Sequence, residues 1–405
     1  MGYFCLVSSL KKTGKSLRLT ALFKDFLQSE TISGVLLFVC TIISLVITNS
    51  SIGASYASFW NIKTGFNLGE LAFNLSIADW INDGLMTIFF LMVGLEIERE
   101  LYIGELSDRK RALLPVIGAL GGMIAPALIY WGFNKGADTI SGIGIPTATD
   151  IAFAIAIMGF VGNRVPMSIK VFLTALAIID DLGAIFVIAL FYGHGFSPMY
   201  LSIALGILAV LFFLSKRGVT SLWIYLPAGV LTWIFMMHSG IHATITGVLL
   251  AFVIPFEQGA KSSVSYKLQH WLHKPVAFFI IPLFALSNTA LSLKPEVLSD
   301  LGNAESTGIF LGLLLGKPLG ITLFAYASVA LGITRFGNGV RFSHIFGAGM
   351  LAGIGFTMSI FITNLAFSDV GLIQLGKVSI LLASAAAALS GLLFLRFFTP
   401  KPTKN

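Results

Sequence analysis

A run of about 20 apolar residues is long enough to cross the hydrocarbon core of a bilayer as a helix. In lipid every backbone N–H and C=O has to be paired, so a helix or a closed barrel is the form left to such a segment. This sequence holds twelve such runs, at about 32–48, 83–98, 112–133, 140–161, 167–192, 198–214, 220–237, 239–255, 275–293, 307–332, 344–366 and 373–398. They predict an all-α polytopic membrane protein with about twelve transmembrane helices embedded in a lipid bilayer. Composition agrees: charged residues make up 11% of the 405, against about 25% in soluble domains. A water-soluble enzyme and a disordered chain are both excluded on that ground. The net charge of +7 would suit nucleic acid only if the bases formed one face. They are scattered between the apolar runs, so no nucleic-acid partner is expected. Cys5 and Cys40 offer neither metal spacing nor a disulfide framework, and no cofactor is expected.

Lys and Arg favour cytoplasmic loops. With twelve spans, 21 of the 26 bases fall on one side. Lys63, Lys135, Lys294 and Lys377 fall on the other, and Lys317 lies inside a run. Both termini are therefore expected in the cytoplasm. Residues 1–31 read as a cytoplasmic tail with a candidate interfacial helix at 17–27. Residues 32–398 read as one twelve-helix domain, and 399–405 as a second tail. The longest gap, 49–82, has room for a hairpin or a surface helix.

Charge inside a bilayer costs at least about 2.5–3.5 kcal/mol per group, so what remains there serves a pathway or a paired structural site. The runs contain Asp150, Asp180, Asp181 and Lys317, with Asp83 and Glu96 near the ends of the second. Asp180 and Asp181 are adjacent in mid-run, so on a helix they point about 100° apart. Two carboxylates this close in a low dielectric repel, which favours protonation of at least one. Their oxygens also suit a small hard cation. Competition between proton and cation for one site is the physical basis of exchange. The alternative is a carboxylate pair neutralised by buried bases, yet Lys317 is the one base for three deep aspartates.

Two runs carry weak points. Gly144-Ile145-Pro146-Thr147-Ala148-Thr149-Asp150 lies in mid-run, where Pro cannot continue the helix and Gly and Thr weaken it. A break there frees carbonyls and Thr hydroxyls as ligands and lets Asp150 face positive helix ends. Gly347, Gly349, Gly353 and Gly355 weaken the eleventh run in the same way. Interrupted segments in corresponding halves mark the binding site of repeat-built transporters. Spans three to five and ten to twelve are thus expected to be inverted repeats. Gly308, Gly312, Gly316 and Gly320 recur every fourth residue, a small-residue face for close packing beside Lys317. Lys317 is expected to pair with Asp180 or Asp181, or with the negative ends of a broken helix. His238 and His242, four apart, are expected on one helical face. His270 and His273 lie in a basic loop.

The strings FFLMVGLEIERE at 89–100, IPTATDIAFA at 145–154, LTALAIIDDLGAIFVIALFY at 173–192, SGIHATITG at 239–247, LGKPLGI at 315–321 and GIGFTMSIFI at 353–362 closely resemble the NhaA-type bacterial Na+/H+ antiporter family. The resemblance covers about 80–400. It implies an inner-membrane secondary transporter that exports Na+ or Li+ in exchange for protons, driven by membrane voltage and regulated by pH. It also implies two crossed, broken helices. Asp180 and Asp181 would hold the cation (Na+ or Li+) and the protons. Asp150 and Thr149 would support them, and Lys317 would balance charge. Glu96 and His242 match positions tied to the pH response. The family is commonly homodimeric through an outward hairpin, which 49–82 would supply. Gln269 and Glu98 depart from the family pattern, where Glu and a base stand, and this bears on the pH profile. A cation-coupled solute symporter is the nearest alternative. An intramembrane aspartyl hydrolase would need its carboxylates on facing helices, and no such motif is present.

Overall fold

The computed structural model describes residues 30–68, 71–107, 109–193, 195–257, 262–336 and 340–399. The candidate interfacial helix at 17–27 and residues 400–405 lie outside them. In chain order come α1 (Glu30–Thr48), α2 (Gly53–Trp60), and a hairpin of β1 (Lys63–Leu68) and β2 (Leu71–Ser76). The hairpin is antiparallel, with Lys63 opposite Ser76. It fills the long gap that had room for either a hairpin or a surface helix, and the chain has both. Next is α3 (Ile77–Tyr102), whose first turns widen into a π-helical stretch at Trp80–Leu85. The second run is therefore longer than its apolar core at 83–98 suggested. Ser76 opens it with a reciprocal cap: its hydroxyl accepts from Asp79 N, and the Asp79 carboxylate accepts from Ser76 N.

The remaining helices are α4 (Arg109–Asn134), α5 (Ile151–Val161), α6 (Met167–Phe191), α7 (Pro198–Lys216), α8 (Leu222–His238), α9 (Ile245–Val253), α10 (Val264–Pro275) and α11 (Ile281–Asn288). They are followed by α12 (Ala304–Ala330), α13 (Phe342–Ala352), α14 (Phe356–Ala366) and α15 (Val370–Phe397). A tight 3-10 segment, Asp138–Thr147, precedes α5. Among the described residues, seven helices are long and apolar enough to cross a membrane, and counting the two bent pairs brings the number to nine. The other three runs form shorter pieces: α8, α9, and α11 with the wide turn Val276–Ile280 before it.

Two bent pairs stand where Pro and Gly weaken the sequence. The 3-10 segment and α5 meet at 43°, and α13 and α14 at 47°. The same order of elements occurs twice: long helix, broken pair, long helix, first as α4 to α6 and again as α12 to α15. These six segments pack on one another, with α12 along α4, α4 against α6, and α13 and α14 against α15. The second bundle gathers α3, α7, α8, α9, α10 and α11, with α9 lying along α3. Helix α1 bridges the bundles: Ser33 donates to the Ala277 carbonyl at 3.0 Å, and Phe38 meets the Phe153 ring edge-on.

The glycine ladder of α12 lies against α4. A Cβ on Gly316 would stand 2.7 Å from Pro126 Cα, and one on Gly320 would stand 2.1 Å from the Gly121 carbonyl oxygen. Only a hydrogen fits at that distance, so the two backbones meet without side chains between them. This contact fixes the height and rotation of Lys317, which sits between those two glycines.

Candidate functional site at a crossing of two broken helices

The two breaks cross and are stitched by hydrogen bonds to their carbonyls. Asp150 N donates to the Ile354 carbonyl at 2.6 Å, and Ser359 Oγ donates to the Ile145 carbonyl at 2.7 Å. Asp150, buried, caps both half-helices that start here. Its Oδ1 accepts from Phe153 N of α5 at 3.0 Å. Its Oδ2 accepts from Thr357 N at 3.1 Å and from Thr357 Oγ1 at 2.6 Å, both on α14. Each helix start presents unpaired N–H groups and a partial positive charge. One carboxylate answers both, because the crossing brings the two starts together.

Thr149 connects this cap to α6. Its hydroxyl lies 2.7 Å from Asp180 Oδ2 and 2.9 Å from the Ala352 carbonyl, and can donate to either. Lys317 Nζ lies 2.5 Å from Asp180 Oδ2 and also donates to Thr149 Oγ1. The expectation that Lys317 pairs with one of the aspartates resolves to Asp180. Lys317 and Asp180 are both 0% exposed, and Asp181 is 5% exposed. Asp180 and Asp181 each keep one buried oxygen, Oδ1, without a hydrogen-bond partner among the described residues.

Three carboxylates and one ammonium thus share the buried crossing. An ionised carboxylate out of water is costly unless it is paired, protonated or bound to a cation. Asp150 is satisfied by helix starts and Asp180 partly by Lys317. Asp181, turned about 100° away on the same helix, has neither. Among the described residues no three His, Cys, Asp or Glu side chains gather as a ready metal cage. A cation here would have to combine the two carboxylates with neutral oxygens.

A sequence model of the family described as Na+/H+ antiporter 1 matches residues 24–395. The chain belongs to that antiporter family. It is 55% identical to Na(+)/H(+) antiporter NhaA of Cytophaga hutchinsonii, over 96% of this chain and 98% of that one. It is 52% identical to Na(+)/H(+) antiporter NhaA 1 of Flavobacterium johnsoniae, over 94% and 98%. With the NhaA antiporter of Vibrio campbellii the identity is 46%, over 93% and 96%. This antiporter-family chain is a multi-pass membrane protein of transporter type.

The crossing joins five of the residues singled out from the sequence: Thr149, Asp150, Asp180 and Lys317 directly, and Asp181 by adjacency. Glu96 and His242 sit on the other bundle. Glu96 lies 3.8 Å from Arg99, which also pairs with Glu100 at 2.9 Å. His242 lies in the connection between α8 and α9, not on a helix. The shared helical face for His238 and His242 is thereby corrected. Helix α8 ends at His238, and Gly240 follows with φ of +83°, a left-handed turn that stops the helix.

Sequence reasoning missed two groups. Thr357 gives no signal of its own, since a Thr after a Gly-rich stretch reads as packing. Lys377, counted with the loops, lies inside α15 and donates to Asn288 Oδ1 at 3.0 Å. Its place a few residues inside the last run was the available signal.

Proposed function

We propose that this chain exchanges Na+ or Li+ for protons across the bacterial inner membrane by alternating access, as a secondary active transporter. The observation that carries the reading is the pair Asp180 and Asp181, buried at the crossing, each with one oxygen that has no hydrogen-bond partner among the described residues. The 21-to-4 division of bases supports cytoplasmic termini.

The cycle follows from charge balance. With Asp180 and Asp181 ionised and Lys317 charged, the trio carries one net negative charge, which one Na+ neutralises. Opened to the cytoplasm, the carboxylates release protons and bind the cation. Opened to the outside, where protons displace the ion, both carboxylates protonate and the trio returns with one net positive charge. Two protons then move in for each cation out, one net charge crosses per turn, and membrane voltage drives export. Lys317 keeps Asp180 ionised in the cation-loaded form. Thr149 supplies a neutral oxygen and Asp150 holds the crossing together. Glu96 and His242, away from the crossing, fit a pH-responsive role. A homodimer formed through the β1–β2 hairpin completes the proposal.

Dissipation of a preset ΔpH in everted vesicles tests this reading. Na+ and Li+ are expected to move protons without any organic solute. A response that needs an organic solute would support the symporter instead.

A further inference from the structure

At the end of the molecule opposite the base-rich one, Asn288 ties the two bundles together. Asn288, 3% exposed, closes α11. Its Oδ1 accepts from Lys377 Nζ of α15 at 3.0 Å and from Asn364 Nδ2 of α14 at 2.7 Å. Its Nδ2 donates to Asn82 Oδ1 of α3 at 2.8 Å. The same nitrogen is within reach of the Phe284 carbonyl and Ser287 Oγ, each at 3.1 Å. An amide has two lone pairs and two N–H groups to offer, and here all four are engaged. The acceptor half serves the six-segment bundle, and the donor half serves the second bundle. Gln374 Nε2 adds a tie at the same end, donating to the Ser292 carbonyl at 2.9 Å.

At the base-rich end the bundles meet differently. There α1 lies on α5 with Gly34 against Ala152 and Ala156, and the Phe38 and Phe153 rings meet edge to face. Such apolar surfaces slide or part without leaving polar groups unpaired. The Asn288 cluster holds that end by direct hydrogen bonds, one of them from a charged ammonium, and each must break before the bundles part there and water can take its place.

We propose that Asn288, held by Lys377 and Asn364, is the latch of the outer gate: a positioning device that keeps the outward half of the ion path shut until the six-segment bundle moves. The inference rests on the antiporter reading and on the orientation proposed with it. Alternating access requires the outer end to open once per cycle, and the hydrogen bonds that cross between bundles there must then break. Weakening them raises the population of the outward-open form. An ion binding from outside then meets more of its competent state, and its apparent affinity rises in proportion.

The test compares right-side-out with everted vesicles carrying the full chain, reading Na+-dependent proton movement against Na+ concentration. In Asn288→Ala, Lys377→Met and Asn364→Ala, the KM for Na+ at the outer face is expected to fall about fivefold, the worth of one or two such bonds. The KM at the cytoplasmic face is expected to hold or rise. An outer KM that stays put or increases in the variants that reach the membrane would overturn the latch. A general packing defect would not lower one KM alone, so a structural role is told apart. If Asn288→Ala does not assemble, Asn364→Ala, which alters a half-buried residue, carries the test. Wild-type vesicles that move no protons on Na+ addition would instead sink the antiporter reading.

Discussion

The two broken segments share a backbone plan and differ in chemistry. The first brings Thr149 and Asp150 to its break. The second brings Gly353, Ile354 and Gly355, with no charge and no hydroxyl until Thr357. Yet the second half-helix starts as well capped as the first, because Asp150 accepts from Thr357 as well as from Phe153. A repeated fold therefore does not need repeated chemistry. One carboxylate serves both helix starts, and the second segment returns carbonyls at Ala352 and Ile354. The polar investment is concentrated beside Asp180 and Asp181.

Changes at the crossing can break or sharpen that contrast. Within the two broken segments, the largest effect is expected from Asp150→Ala, which uncaps both half-helices. Charged hydrogen bonds are worth about 1.5–3 kcal/mol, so kcat/KM for Na+-driven proton movement should fall roughly 100-fold. A fall below threefold would mean that the two starts do not depend on one carboxylate. Thr149→Val comes next. It removes the hydroxyl between Asp180, Lys317 and Ala352, and a rise in the KM for Na+ of about tenfold is expected. An unchanged KM would take Thr149 out of the ion's reach.

Thr357→Val is the matched change on the second segment. It deletes one of three bonds to Asp150 and leaves the backbone N–H in place. A stability loss of about 1 kcal/mol is expected, with transport lowered no more than about threefold. Equal damage from Thr357→Val and Thr149→Val would erase the asymmetry.

The smallest effect should come from a titratable group outside both segments. His273 lies in the last turn of α10, beyond the spans, and burial pushes its pKa below the usual histidine value, helped by nearby His270, Arg99 and Lys274. A depressed base is fully compatible with the fold above the ordinary histidine pKa of about 6.5. Stability drains as pH falls below it, since the unfolded chain takes the proton first. His273→Gln should flatten that acid-side loss in a melting series and leave the Na+ concentration dependence alone. A shift in KM with His273→Gln would tie this end of the molecule to the site.

Much of this was legible in the chain. Bilayer length and base placement set the segment count, and Pro146 and the glycines marked the two breaks. The cost of buried charge singles out Asp150, Asp180, Asp181 and Lys317 from the sequence alone. Pairing was not legible. The charge cost says that Lys317 needs a carboxylate, while the choice of Asp180 depends on how α12 rotates against α4 through Gly316 and Gly320. Lys377 looks like a loop base in sequence because it falls near a run's start. Asn288 and Asn364 carried no signal, since an uncharged amide is unremarkable until its partners, distant in sequence, surround it. The four-residue spacing of His238 and His242 carries a helical face only if the helix runs through Gly240, and Gly240 stops it.

The central claim is that Asp180 and Asp181 carry the exchanged ions. Purified wild-type, Asp180→Asn and Asp181→Asn proteins in sealed liposomes, assayed for Na+ uptake and proton release in the same sample, address it directly. The account predicts coupled movement in the wild type and neither flux in either variant, with both variants folded by melting temperature. Full Na+-coupled proton movement in Asp181→Asn would contradict it.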